Sequence, residues 1–373
     1  MVKLRNIAVV GFAQLPIVAR DEHRTAMEML YPVIRQALAD CGVDRHAIDY
    51  QIAGSADYLD GRPFGFVTAL DVMGSWPPQQ DLHLEMEGAF CAYYAWVRLQ
   101  AGECDTALVV AHGKTSEGEP ARVLNLQLDP YYQAAIGLDP TSTAALQASA
   151  YMARTGATDQ DLAAVAARNR AAGVRNPDSQ LHETASAEDL LNTPWAVEPL
   201  RQGYLPPLGE SATCLILAAE GAADKMCDQP VWIHAVDHRT EMQTLGARDL
   251  SRSASTQLAA EKAAAMAGLR SAADVDVIEL TAATPAEELI LCDALGLDVD
   301  AARAVINPSG GPLCGHPLMM SGLIRMGEIF RQLSGRAGAR TVAGARRGMA
   351  HATQGHCLQH NIVWVLGRER RWT

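Results

Sequence analysis

The stretch Asn307-Pro308-Ser309-Gly310-Gly311-Pro312-Leu313-Cys314-Gly315-His316-Pro317 is the chain's clearest candidate for proton chemistry. Its glycines let backbone approach a ligand closely, and Pro317 suits a first helical turn, where no N–H partner is needed. An imidazole held on such a turn can donate to an oxyanion or move a proton; it can also do no more than cap the turn. His360, in Leu358-Gln359-His360-Asn361, is a second imidazole suited to proton transfer near neutral pH. Thiols form another set, at positions 41, 91, 104, 214, 227, 292, 314 and 357. No Cys-x-x-Cys and no His/Cys pair at zinc spacing occurs, so reduced, mostly buried thiols are expected, with no metal. Cys314 and Cys357 stand near the two histidines in sequence, where an imidazolium would stabilise a thiolate. Buried, inert sulfur is the alternative.

The elements that must position these residues read as short apolar strands alternating with helices. Asn6–Phe12 is a strand, Thr25–Cys41 a helix closed by Gly42, and Ile48–Ile52 a strand. The scheme returns with a strand at Val231–Val236, an Ala-rich helix at Ser255–Ala267 closed by Gly268, and a strand at Val275–Leu280. The offset of 226 residues between Gly42 and Gly268 implies two related halves. Further strands read at Thr106–Ala111 and Ala212–Ala218, and a helix follows the Gly-His-Pro turn from about Leu318 to Leu333. The fold class is α/β, with mostly parallel sheets covered on both faces. The halves are placed at residues 1–229 and 230–373, with an insertion at about 112–208 in the first. That insertion reads as helical over Thr143–Thr155 and Gln160–Ala172, and its length marks a lid or cofactor-holding subdomain.

Composition narrows the function classes. Of 373 residues, 49% are hydrophobic and 20% charged, as in an ordinary globular protein. The net charge of −12 argues against nucleic acid as a partner, and the basic tail Arg368-Glu369-Arg370-Arg371 is too short to change that. No apolar run approaches the ~18 residues of a membrane span, and the start lacks a signal core, so a cytoplasmic protein is expected.

Several pieces, in this order and spacing, resemble the thiolase superfamily, in its sterol-carrier-protein or lipid-transfer-protein branch. They are Ala101-Gly102-Glu103-Cys104-Asp105 before a strand, Gly209-Glu210-Ser211-Ala212, Val277-Ile278-Glu279-Leu280, the Asn307–Pro317 stretch and Gln359-His360-Asn361. The resemblance covers essentially the whole chain. It implies a five-layer αβαβα core of two similar halves with an inserted loop domain, and dimers made through the N-terminal half. It also implies catalytic roles: His316 as oxyanion-hole donor to a thioester carbonyl, and His360 at the base position. The family's nucleophilic Cys corresponds to Glu85 or a near neighbour in Leu84-Glu85-Met86-Glu87-Gly88-Ala89, and no Cys stands there. Cys91, six residues on, is a candidate nucleophile or a buried small residue. Glu85 and Glu87 suit the positive end of a helix. Where the branch carries His-Asp-Cys-Phe, this chain reads Thr281-Ala282-Ala283-Thr284, followed by Pro285-Ala286-Glu287-Glu288, and the Cys position falls on Ala283. Tyr93 and Tyr94 either donate to an oxyanion, plug the acyl pocket or belong to the core.

The expected function is action on a C–C bond of a β-hydroxy- or β-ketoacyl-CoA of lipid or steroid side-chain type, without the usual Cys. Retro-aldol and acyl-transfer chemistry both remain open, making the chain an acyltransferase or a lyase. No bound cofactor is expected, with coenzyme A entering as part of the substrate. Arg168 and Arg170 are candidate phosphate contacts or members of a solvated helix face. The alternative is a non-catalytic thiolase-fold subunit that pairs with a competent thiolase or a small OB-fold, zinc-ribbon protein. A homodimer is expected in the first case and a heteromeric complex in the second.

Overall fold

The computed structural model describes residues 4–61, 63–74, 79–297 and 304–371. The first half runs β1 (Ile7–Gln14), α1 (Ala26–Asp40), β2 (Tyr50–Gly54), α2 (Phe66–Met73), β3 (Gln80–Leu84), α3 (Gly88–Ala101) and β4 (Thr106–Gly113). A long insertion follows, carrying α4 (Pro120–Leu126), α5 (Pro140–Thr155), α6 (Asp159–Gly173), α7 (Ala187–Leu191) and the small pair β5 (Trp195–Val197) and β6 (Leu200–Arg201). The half closes with β7 (Ser211–Ala219) and α8 (Glu220–Met226). The second half runs β8 (Val231–Thr240), α9 (Ala254–Ala267), β9 (Val277–Glu279), α10 (Pro285–Leu295) and β10 (Val305–Ile306). It ends with α11 (Ser321–Leu333), β11 (Arg347–Gln354) and β12 (His360–Gly367).

Strand order exposes the duplication. The first five strands lie as β3-β2-β4-β7-β1 and the second five as β10-β9-β11-β12-β8, so each strand has a counterpart at the same place. A short antiparallel contact, Ala8 to Trp232 and Val9 to Val231, joins the two sheets. Helix order repeats as well, with α1, α2 and α3 answered by α9, α10 and α11. Among the described residues, β2–β3, β2–β4, β9–β10 and β9–β11 are parallel, while the strands nearest the join are antiparallel.

Burial on both faces follows from the residue pattern. Ile7 and Val9 of β1 face one core while Ala8 and Val10 face another. In β12, Ile362, Trp364 and Leu366 face the first core, and Val363 and Val365 a third. The first core holds α3 and α11 between the sheets; α1 covers the outer face of one sheet, and α9 and α10 that of the other. Helix, sheet, helix pair, sheet and helix thus make the five layers. Removing apolar side chains from water on both faces of each strand, at about 25 cal/mol per Å2, is the main force holding the layers together.

Local signals explain the helix limits. Thr25 caps α1, and Glu28 bonds back to the Thr25 N–H at 2.8 Å. Gly42 and Gly268 follow α1 and α9 in the left-handed region, with φ of +64° and +69°. The expected helix from Leu318 begins instead as a 3-10 turn over Leu318–Met320, and α11 proper starts at Ser321. No described helix is long and apolar enough to cross a membrane.

Candidate active site

A cavity of about 480 Å3 opens where the starts of α3, α10 and α11 converge beneath the insertion. Glu85 and Glu87 come from the approach to α3; Ala283, Thr284 and Glu287 from the start of α10; and His316 and Met319 from the approach to α11. The turn from Gln354 to Leu358, between β11 and β12, closes one side, and Leu124, Thr143 and Leu205 of the insertion cover the top.

His316 is fixed along its whole length. Its N–H donates to the Pro207 carbonyl at 2.9 Å, and its own carbonyl accepts from Gly209 N–H at 3.3 Å. Its Nδ1 lies 2.8 Å from Ser321 Oγ. Burial, reinforced by the Arg325 charge, lowers the imidazole to about 4, so the ring is neutral at pH 7. A Ser321 hydroxyl donating to Nδ1 leaves the ring proton on Nε2, where it can be donated to an oxyanion in the cavity.

The loop carrying His316 is anchored to protein rather than open to ligand. Arg325 Nη1 pairs with Glu279 Oε2 at 2.7 Å and with Ser309 Oγ at 2.6 Å, all fully buried. Asn307 donates to Glu288 at 2.8 Å and accepts from Leu280 N–H at 2.7 Å. Gly310 has φ +90°, and a Cβ there would lie 2.6 Å from the Gly173 backbone, so its glycine serves close packing on α6. The expectation that these glycines admit a ligand is corrected accordingly.

Glu87 sits where two helix starts meet. Its Oε2 accepts from Ala89 N–H of α3 at 2.8 Å, and its Oε1 accepts from Gly322 and Leu323 N–H of α11 at 2.8 and 2.9 Å. One carboxylate thus satisfies free N–H groups of both central helices. Burial lifts Glu87 to about 7, against the downward pull of those N–H bonds and Arg325. A Cβ on residue 322 would stand 2.6 Å from Glu87 Oε2, so only glycine admits the carboxylate.

Glu287 lies in the first turn of α10, capped by Thr284, whose Oγ1 accepts the Glu287 N–H at 3.2 Å. Its Oε2 accepts from Ala283 N–H at 2.6 Å, and burial lifts this carboxyl also to about 7. His356 Nε2 is 2.7 Å from the Leu124 carbonyl, which can only accept, and Nδ1 is 3.1 Å from Thr143 Oγ1. Both of its ring nitrogens are therefore occupied. Cys357 and Leu358 have φ of +53° and +60°, two successive strained residues. Arg248 holds that turn by donating to the carbonyls of Cys357 and His356, each at 2.7 Å. The Cys357 thiol donates to the Thr143 carbonyl at 3.3 Å and is pushed up to about 12 by burial. Among the described lining residues there is no Lys or Arg, while Glu85, Glu87, Asp139 and Glu287 are acidic.

Residues 235–368 match the family model described as "Thiolase C-terminal domain-like". The chain is similar to "Acetyl-CoA acetyltransferase" of Methanothermobacter thermautotrophicus, at 29% identity over 65% of this chain and 68% of that protein. It is also similar to "Sterol carrier protein 2" of Gallus gallus, at 31% identity over 54% of this chain and 40% of that protein. The chain thus aligns with only about two fifths of the sterol carrier protein's length. In structure it is similar to the "Ltp2-ChsH2(DUF35) aldolase", with a TM-score of 0.82 and 18% identity over 98% of both chains. Residues 235–368 thus match a thiolase-type domain, and the chain as a whole is similar in sequence to thiolases and sterol carrier proteins and shares the thiolase fold.

At the start of α3, where the resemblance leads one to expect a Cys, Glu85-Met86-Glu87 stands and no Cys does. Cys91 lies in the core one turn further on, packed against Gly54, and burial raises its thiol above the usual range. Cys314 is likewise buried, donates to the Asn169 carbonyl at 3.2 Å and is raised to about 11. Neither lines the cavity. Tyr93 stacks on Trp96 with ring centroids 6.1 Å apart and meets His238 edge-on, also outside the cavity. His360 bonds Thr240 Oγ1 through Nδ1 at 3.1 Å and is not brought to the cavity with His316. Arg168 pairs with buried Glu288 instead of facing the cavity, and Arg170 is no part of the lining.

Of the expected residues, the structure brings His316 and Glu87 together in the cavity. Cys357, one of the two thiols near the histidines in sequence, also lines the cavity, whereas Glu287 and His356 were missed as cavity residues. For Glu287 a signal existed: Thr284-Pro285-Ala286-Glu287 has the cap, the N1 proline and the acidic N3 residue of a helix start. Directly after a core strand, such a start points its carboxylate at the same edge of the sheet as His316. Among the described residues, no group of three His, Cys, Asp or Glu side chains is arranged to hold a metal.

Proposed function

We propose that the protein binds an acyl-CoA thioester and cleaves a C–C bond by retro-aldol chemistry, with no acyl-cysteine intermediate. The observation that carries this reading is the pairing of a neutral His316 with buried carboxyls in one cavity whose α3 start lacks a thiol. Retro-aldol cleavage needs a base for the β-hydroxyl and a donor for the thioester enolate, but no nucleophile. In this scheme the hydroxyl proton leaves, the Cα–Cβ bond breaks and its electrons form the enolate, and Cβ becomes a carbonyl. His316 Nε2–H holds the enolate oxygen until the α-carbon is protonated. Coenzyme A is part of the substrate. The apolar walls at Leu124, Leu205, Leu318 and Leu358, with acidic residues around them, suit an uncharged lipid or steroid side chain. The likeness in fold to the Ltp2-ChsH2(DUF35) aldolase supports the direction of this reading.

A second reading, a subunit that works only with a partner, is favoured by one feature. Leu126, Tyr131, Tyr132 and Ile136 stand 68–82% exposed on the insertion beside the cavity. Mass-spectrometric analysis of the chain incubated with uncharged β-hydroxyacyl-CoAs separates the two. Shortened acyl-CoA plus a carbonyl product supports the first reading. Binding of these thioesters with no cleavage, across straight and branched chains, overturns it in favour of the second.

A further inference from the structure

We propose that Glu287 is the proton-transfer residue of this site, taking the β-hydroxyl proton of the substrate and returning it to the α-carbon of the enolate. The assignment rests on the retro-aldol reading and supplies the base that His360, outside the cavity, does not.

Elimination among the lining groups leads to this residue. Glu87 spends its oxygens on three helix N–H groups. His356 has both ring nitrogens bonded, and Cys357 is a bonded, un-ionised thiol. Asp139 caps α5 through Ser142 N–H at 2.7 Å, and Glu85 is solvent-exposed and bonds Asp57 N–H at 3.2 Å. Among the described lining residues, Glu287 is a buried carboxyl, at 8% exposure, held by backbone N–H groups of its own helix start rather than tied to a second element. Its Oε2 accepts from Ala283 N–H at 2.6 Å and the Thr284 N–H also supports the carboxyl, which fixes it at the cavity wall. Ala283 is also the residue at which the resemblance places a Cys. The carboxylate folds back from the first turn of α10 to bond the backbone of that residue.

The step balances with one residue. The carboxylate accepts the hydroxyl proton as the C–C pair moves into the enolate. The enolate then collapses, its pair forms the new C–H bond, and Glu287 returns to carboxylate. Elevation of this group to about 7 places it where it can both take and give a proton near neutral pH. His356, Cys357 and Asp139 face the same cavity, as do Glu85, Glu87 and His316, with Arg248 behind the β11–β12 turn.

The test is exchange of the α-protons of propionyl-CoA for deuterium in D2O, followed by mass spectrometry beside binding measurements. Wild-type protein exchanges them, at a rate that rises with pH through about 7. Glu287→Gln loses about 10²-fold or more of the rate and keeps its affinity for propionyl-CoA. Glu287→Asp, which keeps a carboxylate, retains the pH profile at a reduced rate. Exchange by Glu287→Gln at the wild-type rate overturns the assignment, as does a wild type that binds propionyl-CoA without exchanging it. Glu287-dependent exchange in a protein that cleaves no β-hydroxyacyl-CoA supports the assignment and overturns the retro-aldol reading instead.

Discussion

The two halves share one strand order and one helix order, yet they equip the site unequally. In the first half, β4 and β7 are joined by the long insertion; in the second, the equivalent β11 and β12 are joined by residues 355–359 alone. The first half therefore supplies the roof of the cavity and one buried carboxylate, Glu87. The second supplies His316, Glu287, His356 and Cys357. Where the starts of α3 and α11 meet across the halves, a single carboxylate serves both helices. Duplication fixed the meeting of helix ends, because buried N–H groups there must be satisfied whatever the chemistry. The reactive side chains were free to become asymmetric.

Substitutions that strike one half at a time sharpen this contrast. The largest effect is expected in the second half, where His316→Ala removes the oxyanion donor and lowers kcat by about 10²–10³-fold. Folding of that variant, followed by circular dichroism, stays intact; a kcat near wild type would remove the second half from its leading place. Next comes Glu87→Gln, which puts an amide donor against Ala89 N–H and destabilises the fold by about 1–3 kcal/mol. Its pH dependence has a definite sign. Glu87 is raised above the ordinary carboxylate value, so its protonation stabilises the fold fully below about 4.5, and that gain is lost as pH rises through about 7. Urea melts should therefore show the variant's deficit shrinking between pH 5 and pH 8. The smallest effects belong to one cysteine from each half. Cys91→Ala and Cys314→Ala, both outside the cavity lining, each cost about 1 kcal/mol of stability and leave turnover unchanged.

Much of this asymmetry was hidden in the sequence, while the frame was plain. Gly42 and Gly268 mark equivalent helix ends because a left-handed residue is needed there and glycine meets that need at least strain. The apolar runs of β1, β7 and β8 were readable because both faces are buried. β11 and β12 were not read as strands: His351, Thr353 and Gln354 interrupt the first, and its pairing is fixed by distant β9. His316 could be picked out by its Gly-His-Pro turn, but its neutral ring depends on burial and on Arg325, which only the fold brings near. His360 looked equivalent in sequence, and lies instead beside Thr240. Glu287 stands four residues after Ala283, inside α10, and its bond to the Ala283 backbone is made only by the folded turn. The Thr284-Pro285-Ala286-Glu287 spacing marks a helix start with a back-reaching carboxylate, but that it faces the cavity of His316 is visible only in the fold.

The most direct measurement is the intact mass of the protein, acid-quenched during turnover of an uncharged β-hydroxyacyl-CoA, read together with the released products. The retro-aldol account predicts unmodified protein at every time point while a carbonyl compound and a shortened acyl-CoA accumulate. An acyl adduct on any cysteine, Cys357 in the cavity wall above all, would contradict it.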